Sequence, residues 1–266
     1  MIASLRQLFR APPALPRAAI PAGERVYAVG DIHGRSDLFE VLIAAIERDD
    51  AERGAARTTV VLLGDLVDRG PDSAGVIRLA QGWAARRNVR LIAGNHEEMF
   101  LASFTDRETL KHFLKYGGRE TVLSFPIDRA HWNAADLVEA QRLMQAHIPA
   151  SDRAYLGAAE DMIRIGDYLF VHAGIEPGVP FEEQRTGELR WIREPFLGHR
   201  GDHGAVVVHG HTITDEPVFR PNRIGIDTGA YASGRLTALA LEGTARWLIA
   251  AAEQDGEIAT TAKDIA

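Results

Sequence analysis

The chain has no cysteine. Disulfides, thiolate zinc sites and a cysteine nucleophile are therefore excluded, and any metal must be held by His, Asp, Glu or Asn. No apolar run approaches the length of a membrane span. There is no long Lys/Arg cluster, and the net charge is −7, which argues against a nucleic-acid or membrane surface. Residues 1–22 carry Arg6, Arg10 and Arg17 among four prolines and lack the continuous apolar core of a signal peptide. They read as a loose, Pro-rich arm, and the expected compartment is the cytoplasm.

What is present is ordinary for a globular protein: 266 residues, 46% hydrophobic and 25% charged. That is enough for one large α/β domain or two small ones. Three times in the first hundred residues an apolar strand ends in a polar cluster and is followed by a helix. Val26–Val29 ends in Gly30-Asp31-Ile32-His33-Gly34, with Ser36 read as the cap of the next helix. Thr59–Leu63 ends in Gly64-Asp65-Leu66-Val67-Asp68-Arg69-Gly70, and Pro71 and Asp72 open a helix to about Arg87. Val89–Ala93 ends in Gly94-Asn95-His96-Glu97. This alternation predicts a parallel sheet covered by helices, with ligands beyond the carboxyl ends of the strands.

Residues 98–160 read as helices and loops, a cap or insert on the domain. From Met162 the pattern turns to strands. Tyr168–Val171 ends in His172-Ala173-Gly174, Ala205–Val208 in His209-Gly210-His211-Thr212, and Ile224–Ile226 in Asp227-Thr228-Gly229. A last hairpin turns about Glu242-Gly243. The expected architecture is two sheets packed face to face with helices outside, spanning residues 23–252. Residues 253–266 are expected to be a polar, frayed tail.

The strand ends supply Asp31, His33, Asp65, Asn95, His172 and His211. Each alone reads as a helix cap or a satisfied turn. Five strands delivering ligand types to one edge is a stronger signal. A mixed oxygen and nitrogen shell suits Mn, Fe or Zn rather than calcium. Asp65 is central, and one carboxylate can bridge two cations about 3.5–4 Å apart that clamp an in-line displacement at phosphorus. The natural chemistry is then phosphoester hydrolysis by a metal-activated water. Arg69 and Arg193 are the candidate phosphate donors, with Arg200 a competitor for the second place. Asn95 also faces the substrate side. His96 is a candidate general acid if Asp68 orients it and holds it protonated.

Together with Tyr116-Gly117-Gly118 and Trp191-Ile192-Arg193-Glu194, these motifs resemble the phosphoprotein phosphatase family of calcineurin-like metallophosphoesterases, in its bacterial serine/threonine branch. The resemblance implies a β-sandwich of mixed sheets flanked by helices. It implies one metal on Asp31, His33 and Asp65, and another on Asp65, Asn95, His172 and His211. His96 with Asp68 would be the acid pair, and Arg69 and Arg193 would bind phosphate; His209 falls outside the ligand set. The expected activity is a manganese-dependent protein phosphatase acting on phosphoserine, phosphothreonine or phosphotyrosine, or on a small phosphoester. The alternatives are a symmetrical dinucleoside tetraphosphate hydrolase, a branch that typically lacks an Asp at the position of Asp68, and an inactive phosphoprotein-binding relative.

Overall fold

A computed structural model describes residues 18–265. Most of the expected N-terminal arm, residues 1–17, lies outside the described residues; its end does not hang loose. Ile20 is buried, and its N–H donates to Gly243 O at 2.8 Å.

Eleven strands among the described residues form two mixed sheets, as the sequence predicts. β1 (Glu24–Val29), β2 (Arg57–Leu62) and β3 (Val89–Leu91) run parallel, with Tyr27 opposite Val60 and Val61 opposite Arg90. The second sheet holds β4 (Met162–Ile165), β5 (Tyr168–Val171), β6 (Val206–His209), β7 (Val218–Phe219) and β8 (Arg223–Gly225), in the order β4-β5-β6-β8-β7. The chain then returns to the first sheet through β9 (Arg235–Glu242), β10 (Ala245–Gln254) and β11 (Glu257–Ile265), giving β11-β10-β9-β1-β2-β3.

Side-chain alternation assigns the layers. Val26, Ala28, Val61 and Leu63 of the first sheet meet Tyr168, Phe170, Val206, Val208 and Ile224 of the second, forming the sandwich interior. Tyr27, Val29, Val60 and Leu62 face the other way, onto α1 (Ser36–Glu52) and α2 (Ser73–Ala84). The 98–160 insert joins that outer layer. Its helices are the end of α3 (Asn95–Ala102), α4 (Arg107–Phe113), α5 (Arg119–Ser124), α6 (Arg129–Ala134), α7 (Leu137–His147) and α8 (Ala150–Gly157). Phe113, Val122, Trp132, Met144 and Leu156 continue the same apolar core, so the insert is built into the domain. Leu169, Val171 and Val207 back onto Leu189 of α9 (Thr186–Trp191) and onto Phe196. The short α10 (Ala230–Ser233) precedes β9.

Two expectations are corrected. Residues 253–265 are not frayed: β10 runs to Gln254, and β11 pairs with it antiparallel from Glu257 to Ile265. The pairing is carried by the backbone, with Ile258 and Ile265 leaning on the core at its two ends. Ser36 does not cap α1; its hydroxyl donates to Asp72 Oδ2 at 2.7 Å, tying the first two helix starts together. Asp72 does cap α2, accepting from Gly75 N–H at 2.8 Å. Between α4 and α5 the helical path is broken by a π-turn at Leu114–Gly118, where Gly117 takes φ 108°.

Candidate metal centre

The loops after β1, β2, β3, β5 and β6 converge. Ile32 and His33 donate backbone N–H groups to Asp65 O at 3.1 and 2.8 Å, and Gly34 donates to Leu66 O at 2.9 Å. Gly64, at φ 97°, lets the second loop pass the third; a side-chain carbon there would sit 2.6 Å from Gly94 N. Six non-glycine residues among those described adopt positive φ. Five of them are His33, Asp65, Asp68, Arg69 and His211, and the sixth, Asp255, turns the last hairpin. Left-handed backbone costs about 1–3 kcal/mol per residue, and its concentration here marks a site that the fold enforces.

Asp65 lies at the middle. Its Oδ2 is 3.5 Å from His33 Nε2 and its Oδ1 is 3.5 Å from His172 Nε2. Asn95 Oδ1 is 3.0 Å from His172 Nε2 and 2.9 Å from His211 Nδ1. Asp31 Oδ2 accepts from His211 N–H at 3.0 Å. His172 donates Nδ1–H to Leu63 O at 2.8 Å, and His33 donates Nδ1–H to Val67 O at 2.7 Å, so each turns an unprotonated Nε2 toward the centre. All six residues are buried.

This donor set fits divalent cations. His172 Nε2, Asn95 Oδ1 and Asp65 Oδ1 are acceptors facing one another, an arrangement that a cation turns from repulsive to favourable. Asp31 Oδ1 and His211 Nε2 are buried without a hydrogen-bond partner. Burial, then the neighbouring Asp227 and Asp65, push Asp31 well above the carboxylate range, and burial lifts Asp65 to about 6. Burial also drives His33 down and His172 to about 3, keeping both rings neutral as ligands must be. Two clusters meet at Asp65, one with His33 and His96 and one with His172 and His211. Asp31 offers a buried oxygen without a hydrogen-bond partner, so Asp31 is the better third donor beside His33.

His96 Nδ1 lies 2.6 Å from Asp68 Oδ2, and Asp68 Oδ1 accepts from Thr121 Oγ at 2.6 Å. Arg69 bridges the rings, donating to His33 Nε2 and to His96 Nε2, both at 2.9 Å. An accepting Nε2 makes His96 neutral with its proton on Nδ1. Asp68 was expected to hold His96 protonated. Instead, burial lowers the imidazole despite Asp65, and burial lifts Asp68. Arg193 lines a cavity of about 400 Å³ with Asp65, Arg69, Asn95, His96 and His211; Arg200 does not line it. His209 stands apart, donating Nδ1–H to Gly210 O at 3.0 Å and accepting from Arg223 at 3.3 Å.

Two residues gain roles that their motifs did not disclose. Asp227 is a buried carboxyl in contact with Asp31 and is held by Gly229 N–H at 2.9 Å. Glu97 accepts backbone N–H groups from Asp65 and Leu66, both at 2.8 Å, and from Gly94 at 2.9 Å, pinning two of the ligand loops. Glu97→Ala would orphan three buried donors, each costing about 1–3 kcal/mol. The expected loss of stability is at least about 3 kcal/mol by urea unfolding; a loss under about 1 kcal/mol would show that the loops hold without it.

The fold and this cluster define a metallophosphoesterase. The family model for calcineurin-like phosphoesterases matches residues 24–235, and the chain belongs to that family. It is 29% identical over 231 residues to the asymmetrical bis(5'-nucleosyl)-tetraphosphatase of Anoxybacillus flavithermus, covering 79% of this chain and 88% of that protein. It is 30% identical over 188 residues to the symmetrical bis(5'-nucleosyl)-tetraphosphatase of an Acidovorax species, covering 68% of this chain but only 51% of that protein. It is 28% identical over 221 residues to serine/threonine-protein phosphatase 1 of Salmonella typhimurium, covering 80% of this chain and 89% of that protein. Among the described residues, no helix is long and apolar enough to cross a membrane.

Proposed function

We propose that this protein hydrolyses dinucleoside polyphosphates at a dinuclear centre, with Asp31, His33 and Asp65 holding one divalent metal and Asp65, Asn95, His172 and His211 the other. The observation that carries the dinuclear reading is the shared position of Asp65, whose two carboxylate oxygens face histidines on opposite sides. Manganese suits the mixed shell, as iron or zinc would. The nucleotide substrate rests on the names of two of the relatives above. It displaces the phosphoprotein substrate that the sequence motifs favoured.

Bound cations would polarise phosphate oxygens and lower the pKa of the attacking water. The chain's own residues do the rest. Arg69 releases the two imidazoles and turns its fork onto a phosphate, the geometry for which guanidinium is suited. Arg193, which lines the same cavity, meets the same phosphates. His96, freed from Arg69 at Nε2, can then carry a proton there, with Nδ1–H held by Asp68.

One observation favours a second reading, a phosphoserine or phosphothreonine phosphatase. A phosphate leaving group needs little help from a proton, whereas a serine alkoxide needs a great deal. The buried Asp68–His96 pair is the kind of acid an alkyl ester requires. The test is a panel run on metal-stripped and Mn²⁺-reloaded protein: diadenosine tetraphosphate, a phosphoserine peptide and p-nitrophenyl phosphate. Stripped protein is expected to be inert, and reloaded protein to show its highest kcat/KM on the dinucleotide. A preference for the phosphopeptide would replace the first reading with the second.

A further inference from the structure

The site cavity adjoins two further cavities, and Trp191 lines all three. Met99, His112 and Trp191 are shared with a second cavity of about 450 Å³ on the α4 side. Trp191 and Arg193 are shared with a third, of about 390 Å³, beyond α9. Charge is distributed unevenly along this path. The middle is cationic through Arg69 and Arg193. Glu98 and Glu108 line one end, and Glu188 and Glu194 the other.

Two exposed aromatic rings line the middle: Tyr116, and Trp191, which also lines both neighbouring cavities. Trp191 is 42% exposed and Tyr116 is 47% exposed, while Trp83, Trp132 and Trp247 are buried. Core packing does not explain an indole and a phenol left open to water. Backbone geometry presents Tyr116 deliberately. The π-turn places it beside the site, and Gly117 O accepts Arg69 N–H at 3.1 Å. A side-chain carbon on Gly117 would sit 2.7 Å from Arg69 N, so the turn requires glycine there.

We infer that Trp191 and Tyr116 are stacking surfaces for nucleobases, flanking a phosphate chain laid across Arg69 and Arg193. This rests on the dinucleoside polyphosphate reading and extends it to the bases. Two exposed rings in one cavity with Arg69 and Arg193 match a ligand that carries flat bases on a phosphate chain. Glu98 is paired with Arg190 and Glu188 with Arg185, which leaves Glu108 and Glu194 to repel further phosphate and accept hydrogen bonds from exocyclic amino groups. A free polyphosphate chain would meet carboxylates at either end; a base-capped one would not. A basic phosphopeptide would also tolerate the acidic ends, and the experiment separates it.

Metal-loaded protein is titrated with AMP, and separately with inorganic phosphate, while tryptophan fluorescence is followed. AMP is expected to quench emission through the exposed Trp191, and phosphate is not. In parallel, kcat/KM is measured for diadenosine tetraphosphate and for a phosphoserine peptide. Trp191→Ala is expected to raise KM for the dinucleotide roughly 5- to 150-fold, the range lost with one stacked base, and to lower its kcat/KM relative to the peptide. Trp191→Phe keeps a ring and should hold KM near its starting value while losing the quench. Tyr116→Ala should repeat the KM effect. If dinucleotide turnover is robust but KM ignores both alanine variants, the stacking surfaces are refuted and the proposed function stands. If the dinucleotide is not hydrolysed but AMP still quenches through Trp191, the stacking surface stands and the proposed function falls. Equal losses on dinucleotide and peptide would overturn base recognition in favour of a peptide groove.

Discussion

Asp65→Asn empties the centre and stops turnover together. Metal content of the purified variant, measured by inductively coupled plasma mass spectrometry, is expected to fall below one ion per chain, and kcat/KM on p-nitrophenyl phosphate to fall about 10³-fold or more. The magnitude follows from the several kcal/mol of transition-state charge stabilisation that a metal pair supplies, at about 1.4 kcal/mol per tenfold. Asparagine suits the test because it keeps the shape. Asp65 Oδ1 accepts His96 N–H at 3.1 Å, and an amide oxygen can continue to do so. What is lost is the charge and one of the two oxygens that face His33 and His172. The backbone of Asp65 is independently fixed by Glu97, so the loop itself should persist, and urea unfolding of the metal-free proteins should show little change. A variant with full metal content and full rate would remove Asp65 from the bridging role. Loss of rate with both ions retained would instead make it a substrate contact.

The centre was legible because its ligands ride on strand ends. An apolar run such as Val60–Leu63 can be read as buried, and a charge at its mouth demands a partner. Repeated over five strands, the pattern pointed to the sheet, the edge where the loops converge and the residue types gathered there. The same logic could not assign Asp227. Its strand is short, its partner Asp31 lies far off in sequence, and a carboxyl between threonine and a strand end looks like a turn. Glu97 was visible within its motif, yet three acceptor bonds to two loops are a property of the assembled site. Residues 257–265 offered no core-facing alternation: Thr260, Thr261, Lys263 and Asp264 are exposed, and the strand is held by backbone pairing to β10. Tyr116 lies in the π-turn, and Trp191 ends α9 two residues past buried Leu189, on the opposite helix face, so both rings are exposed.

His96→Asn is expected to keep both metals and to separate substrates by leaving group. A positioned general acid contributes about 10²–10⁴-fold, and that loss should appear with a phosphoserine peptide, whose alkoxide is a poor leaving group. With p-nitrophenyl phosphate or diadenosine tetraphosphate, whose leaving groups depart as stable anions, the loss should be much smaller. Asp68→Asn should produce a weaker version of the same split. It preserves the buried contact to Thr121 and an acceptor for His96 Nδ1–H while removing the carboxyl that can share the proton with the ring. Because the two residues act as one unit, the double variant should be little worse than His96→Asn alone, and that non-additivity is the signature of a shared proton. The Arg69 bridge gives the result a second meaning. His96 Nε2 accepts from Arg69 in the resting site, so the acid can form only when phosphate draws the guanidinium away. Removing Arg69 by Arg69→Ala should therefore weaken phosphate binding while making the His96 contribution less dependent on substrate charge. If His96→Asn costs the same on aryl, anhydride and alkyl substrates, His96 is a structural partner of Asp68 and the leaving group takes its proton from water.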